Sequence, residues 1–247
     1  MTTGPTADEI AIFNEIGLLA EKIWERSKGY EGTIADPKLV AMILFRRLRA
    51  HHRAYAILWQ NGCYGEGEII VRSSVETTIC IAANLRMGGE FPHLMRRDAA
   101  ATLQGQIKVH REAESEAMVK STEAALRYLQ AGFAEGEKAA FLNWKGLAEA
   151  GQVPQLYGFH KMLSGLSSHV TGISLIRGIG DHKLEEMQNV LFAVTKRNYF
   201  NMIACATLNG SLIQTSIIDD AELALEALAL TERMNELSMS WPENAKG

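Results

Sequence analysis

A chain of 247 residues sits at the upper end of a single domain and is long enough to bury a sizeable core. With 47% apolar and 22% charged residues it has a globular composition, which excludes a disordered or fibrous chain. A net charge of −4 disfavours bulk electrostatic binding to nucleic acid, although it leaves room for a local basic patch.

The first helix opens at Thr6, with Glu9 three residues on in capping-box spacing. Ile10, Phe13, Ile16, Leu19 and Ile23 then recur at helical intervals. Residues Gly29 to Ala35 read as a loop. Asp36-Pro37 restarts a helix, with Asp as N-cap and Pro in the first turn, and Asn61-Gly62 stops it after Gln60. On this second helix Leu44, Leu48, Tyr55 and Trp59 share one face, while Arg46, Arg49 and Arg53 fall opposite. A row of arginines is ordinarily a solvated face; the sharper reading is a contact for phosphate or an acidic partner. His51 falls near the centre of the apolar stripe and His52 at its edge. Each is more simply a hydrogen-bonded core histidine than a ligand.

A third helix, from about Glu66 to Met87, is apolar nearly all round, as central helices are. Gly88-Gly89 ends it. Pro92 opens a charged fourth helix to roughly Glu114, and a fifth runs to about Ala131. Gly132 to Asn143 reads as a loop and Trp144 to Ala150 as a short helix. Pro154 starts another that ends near His169. Gly158 and Gly165 there are expected to let a neighbouring helix approach closely. Thr171 to Asp181, with Gly172, Gly178 and Gly180, reads as a loop. Helical character returns from about Lys183 to Ile218 with a break at Asn209-Gly210, and Asp219-Asp220 caps a last helix to about Met239. With no alternating strand set, the pattern predicts an all-α fold: one domain, an irregular bundle of about seven or eight helices.

Several familiar chemistries find no motif. Cys63, Cys80 and Cys205 are far apart and form no CxxC pair, so neither zinc nor a disulfide framework is expected. They suit buried positions in a reducing cytosol. Glu90-Phe-Pro-His93 has ExxH spacing but contains Pro92, and no second such motif follows; no metal and no cofactor is expected. His110 and Glu114 read as a surface pair. The segment Met1 to Pro5 lacks the features of a secretory leader, and Phe200 to Ile218 holds too many polar groups to cross a membrane.

Two polar clusters remain. Arg72 and Glu76 lie four apart on the third helix, on a face shared with Ile69, Ile79 and Ala83. Charges among apolar neighbours must pair, either as a structural ion pair that fixes register or as part of a binding site. Tyr157, Ser164 and Ser168 fall within about 40° on a later helix, with His169 and Thr171 at its end. A Ser and a His near a carboxylate could in principle supply a nucleophile and base, but no GxSxG elbow is present. The Arg-x4–6-His spacing of small helical ribonucleases occurs at Arg46/His51, Arg47/His52, Arg86/His93 and Arg177/His182, where about one match is expected by chance, so the spacing alone carries little weight.

The stretch Ile70-Val71-Arg72-Ser73-Ser74-Val75-Glu76 resembles a bacterial all-helical family catalogued as domain of unknown function 5677. That family carries Arg-Ser-x-x-Glu on a central helix, followed by a tryptophan and then Tyr…Ser…His. Trp144-Lys145, Tyr157 and Leu166-Ser167-Ser168-His169 follow in that order, so the likeness spans about half the chain, Ala54 to Gly172. Two registers are open for the family's histidine position, which is occupied by His169 in one and by Thr171 in the other. The resemblance implies the helical fold and the polar cluster, and no reaction. The sequence therefore leans to a cytoplasmic protein that binds a small polar ligand or a partner around Arg72 and Glu76. The alternatives are a metal-independent ribonuclease of stress or phage defence, using Arg46, Arg49, Arg53, His51 and His52, and a structural bundle acting as a homo-oligomer.

Overall fold

The computed structural model of the chain describes residues 5–33, 35–166 and 185–237, and side chains within these apart from 165–166 and 185–195. Among the described residues there are nine helices and no strand: α1 Ala7–Ser27, α2 Pro37–Gln60, α3 Tyr64–Met87, α4 Glu90–Glu112, α5 Glu116–Gln130, α6 Trp144–Ala150, α7 Pro154–Leu166, α8 Glu185–Ile218 and α9 Ala221–Glu236. The all-α bundle expected from hydrophobic periodicity is the fold observed.

Local chemistry sets the element boundaries. The Thr6 hydroxyl accepts from the Glu9 amide at 3.2 Å, and the Glu9 carboxylate accepts from the Thr6 amide at 2.7 Å, completing the capping box. Asp36 caps α2 through the Lys38 amide, ahead of Pro37. Gly62, at φ 74°, makes the turn into α3, a backbone angle that favours glycine. Asp220 caps α9 through the Leu223 amide. The expected break at Asn209-Gly210 does not occur: α8 runs unbroken to Ile218. Gly210 is instead where Leu48 of α2 presses onto α8, occupying the space a Cβ would need.

α3 is the central element. It packs against α2, α4, α6, α7 and α8. Its buried Val71, Val75, Ile79 and Ile81 join Phe45, Phe91 and Phe200 in one core. α1 lies across α2, α8 and α9, while α5 folds back on α4 as an outlying hairpin. Asn84, near the end of α3, donates to the Pro37 carbonyl at 2.8 Å and so ties that end to the start of α2. No helix among the described residues is long and apolar enough to cross a membrane.

Candidate functional site

Arg72 and Glu76 lie one turn apart on α3, where helical spacing brings an arginine and a glutamate at i and i+4 side by side. Arg72 Nε donates to Glu76 Oε1 at 3.0 Å, and each side chain retains 21% of its exposure. The pair is therefore less enclosed than its apolar neighbours in sequence suggest. Ile69, expected on the same buried face, is 55% exposed, so the pair sits at the edge of the core. The Arg72 Nη groups make no bond to a described residue.

The third member of the cluster is His160 of α7, which reading the sequence did not single out. Its Nε2 stands 3.2 Å from Glu76 Oε1, off the hydrogen-bonding direction, and its side chain is only 8% exposed. Trp144 of α6 stacks on the ring at 5.1 Å between centroids and Tyr157 of α7 at 6.1 Å. Burial pushes the imidazole pKa below its ordinary value. The Arg72 charge acts in the same direction and the Glu76 carboxylate opposes both, so the ring is neutral at neutral pH. Nδ1 is buried and has no hydrogen-bond partner among the described residues. Such an orphaned polar atom is uncommon in folded proteins and marks a place where a partner would be gained.

Tyr157 thus reaches the pair through the His160 ring. Ser164, one turn further along α7, donates to the His160 carbonyl at 2.7 Å. Ser168, His169 and Thr171 lie outside the described residues. The signal for His160 was present in its spacing: it is three residues from Tyr157 and four from Ser164, on one broad face of α7. What spacing could not supply is the meeting with Glu76 of α3.

The basic face expected on α2 is corrected in two places. His52 is the hydrogen-bonded core histidine expected of it, but it sits in the core and not at the edge of the apolar stripe, so it adds nothing to a basic face. It stacks on Phe13 at 4.0 Å, with Nδ1 3.0 Å from the Thr207 hydroxyl and Nε2 3.2 Å from the Phe13 carbonyl. The neutral ring, protonated on Nε2, donates to that carbonyl, while Nδ1 faces the Thr207 hydroxyl, whose proton goes to the Ile203 carbonyl at 2.8 Å. Burial lowers its pKa to about 4. Arg49 is not freely solvated either: it bonds Glu21 at 2.6 Å, lies 4.9 Å over the Trp24 ring and is 16% exposed. Arg53 reaches the same Glu21 at 4.0 Å, and Arg46 is exposed. Glu21 thereby offsets part of the positive charge.

His51 is half-buried, with burial and the neighbouring Arg47 charge lowering its pKa to about 4. Its Nε2 lies 3.4 Å from the Ser73 hydroxyl, which accepts from Arg47 Nη2 at 2.9 Å. Arg47 entered the sequence reading only through its spacing to His52, and Ser73 only as part of the α3 motif; their meeting with His51 was not expected. Glu90 and His93 fall in the first turn of α4, where His93 bonds Glu137 at 2.6 Å. Glu114 lies beyond the end of α4 at φ 52°, out of the helical register that would have paired it with His110. Among the described residues no group of three or more His, Cys, Asp or Glu side chains is placed to hold a metal ion. No family model, curated protein or solved structure matches the chain.

Proposed function

We propose that the protein acts by binding, and that the Arg72–Glu76–His160 cluster takes a small polar ligand carrying an anionic or amide group. The observation that carries this reading is a buried imidazole, His160, whose Nδ1 has no hydrogen-bond partner among the described residues, set against the same Glu76 carboxylate that Arg72 holds through Nε while its Nη groups bond no described residue. A planar guanidinium fork suits a carboxylate or amide in bidentate geometry. Trp144 and Tyr157 would flank such a ligand with aromatic surface. The similarity to the helical family with Arg-Ser-x-x-Glu is part of the same reading, because Arg72 and Glu76 are the motif's charged positions. So is a reducing, cytoplasmic setting, since Cys63, Cys80 and Cys205 are all free.

The test is an NMR titration of the His160 ring and the Arg72 side chain with acetate, inorganic phosphate and acetamide in turn. One of these probes should shift both sets of resonances saturably, and Arg72→Gln should abolish the effect. Resonances unmoved by all three would count against the reading.

The ribonuclease alternative has one observation in its favour, the Arg47–Ser73–His51 contact at the junction of α2 and α3, with Arg46 exposed nearby on α2. It requires purified protein to cut RNA and to lose that activity on His51→Ala. His52→Ala would not discriminate, because His52 is a core residue whose loss also disturbs folding.

A further inference from the structure

A cavity of about 530 Å³ opens between the first half of α2, the start of α4 and the end of α5. Its walls are apolar: Val40, Ile43 and Leu44 from α2, Pro92 and Met95 from α4, and Leu129 from α5. The volume lies within the range of small-molecule sites. None of Arg72, Glu76 or His160 lines it, so it stands independently of the cluster described above.

One charge in this cavity is unanswered. Arg96 of α4 lines it, and among the described residues no hydrogen bond or ion pair holds its guanidinium. Its neighbours on α4 are all engaged. His93 and Arg97 both reach Glu137, at 2.6 and 3.5 Å, Arg97 also donates to the Lys138 carbonyl, and Asp98 accepts from the Leu142 amide. These bonds bind the 134–142 loop to α4 and leave Arg96 alone to face the apolar walls. The guanidinium rests against Gly132, in the space a side chain there would fill. Among the described residues no carboxylate lines the cavity. A half-buried guanidinium on apolar walls lacks both full hydration and a counter-charge, and an anionic head on an apolar tail supplies what is missing.

We propose that this cavity binds an amphipathic monocarboxylate, its carboxylate bonded by Arg96 and its hydrocarbon tail laid along Val40, Ile43 and Leu44. The guanidinium fixes the head by charge and fork geometry, and the walls are indifferent to the detail of the tail. Selectivity therefore rests on the acid group more than on chain structure.

Isothermal titration with decanoate, and with decanol as the uncharged tail, tests this on the full chain. Decanoate should bind one to one and at least about tenfold more tightly than decanol, the usual scale for a hydrogen bond to a charged group. Arg96→Gln should bring decanoate down to the level of decanol. Since Arg96 bonds no described residue, its loss should leave the melting curve in place. Ile43→Asn, at a position already 49% exposed, should weaken both ligands. Equal affinity for acid and alcohol would overturn the proposal, as would decanoate binding unchanged in Arg96→Gln, or no binding of either ligand. A dimer that dissociates on Ile43→Asn without decanoate uptake would likewise overturn it, by assigning this face to a second copy of the chain.

Discussion

His52 couples the stability of the fold to pH. Unfolded, the ring takes up a proton near pH 6.5; folded, burial delays this to about 4. Between these values the unfolded state binds more protons, so the contribution is complete above pH 6.5 and is lost as pH falls toward 4. It amounts to on the order of 3 kcal/mol for this one residue. His51, half-buried, adds in the same direction. Chemical denaturation between pH 7 and 4 should show the loss, and His52→Gln, which can bond the same partners without titrating, should flatten the profile. At the Arg72–Glu76 pair, Glu76→Ala strands a guanidinium that water partly reaches. The expected cost is about 2–3 kcal/mol, below the 3–5 kcal/mol of a fully enclosed pair. An unchanged melting temperature would show that water compensates Arg72 completely. Both charges were legible from their four-residue spacing. Their depth was not, because the face they share with Ile69 could be read from sequence only as apolar, and Ile69 is exposed.

At the scale of elements, the glycines separate what sequence can tell from what only packing tells. Gly158 was expected to admit a neighbouring helix, yet nothing lies within 4 Å of the Cβ it lacks. The close approach is at Gly151, in the turn between α6 and α7, where a Cβ would stand 2.9 Å from the Ala83 backbone nitrogen and 2.9 Å from the Ala82 Cβ of α3. Backbone cannot yield as a side-chain tip can, so Gly151→Ala should cost about 1–3 kcal/mol. Gly158→Ala, on an exposed helix interior, should instead stabilise by up to about 1 kcal/mol. Paired thermal denaturation curves check both signs. Helix starts were legible because caps are local: Thr6 with Glu9, Asp36 with Pro37, and Asp220 all act within three residues. The unbroken course of α8 through Asn209-Gly210 was not, because Leu48 on a distant helix makes that glycine useful.

For the whole molecule, the three cysteines report on integrity. Cys80 and Cys205 are buried, and burial raises both thiols to about 12, whereas Cys63 is half-buried at the turn before α3. Only thiolate reacts readily, so iodoacetamide at neutral pH should label Cys63 in the native protein. Cys80 and Cys205 should react only at the rate of global opening, which mass spectrometry would follow. Prompt labelling of either would mean that the core formed by α3 and α8 opens locally. The all-helical class was legible because periodicity along each segment is a property of sequence. The candidate site was legible on α3 and on part of α7. His160 meeting Glu76, and Arg96 left alone in its cavity, are consequences of how helices far apart in the chain come to lie together.

Among the described residues three ion pairs fasten α1 to the last two helices, and Arg26 adds a longer one at 3.8 Å to Asp220, the cap of α9. Glu9, 1% exposed, receives Arg197 of α8 in bidentate fashion, 188 residues away; Lys22 meets Glu226 across 204 residues and Glu15 meets Arg233 across 218. The apolar stripe of α1, including Ile12, Ile16, Leu19 and Ile23, is covered largely by the same late elements and by α2. During synthesis α1 leaves the ribosome well before α8 and α9, with only α2 following closely. The nascent chain therefore carries a partly uncovered hydrophobic stripe until α8 and α9 emerge. Any pause before α8 emerges prolongs the interval in which that stripe is open to chaperones or to other nascent chains.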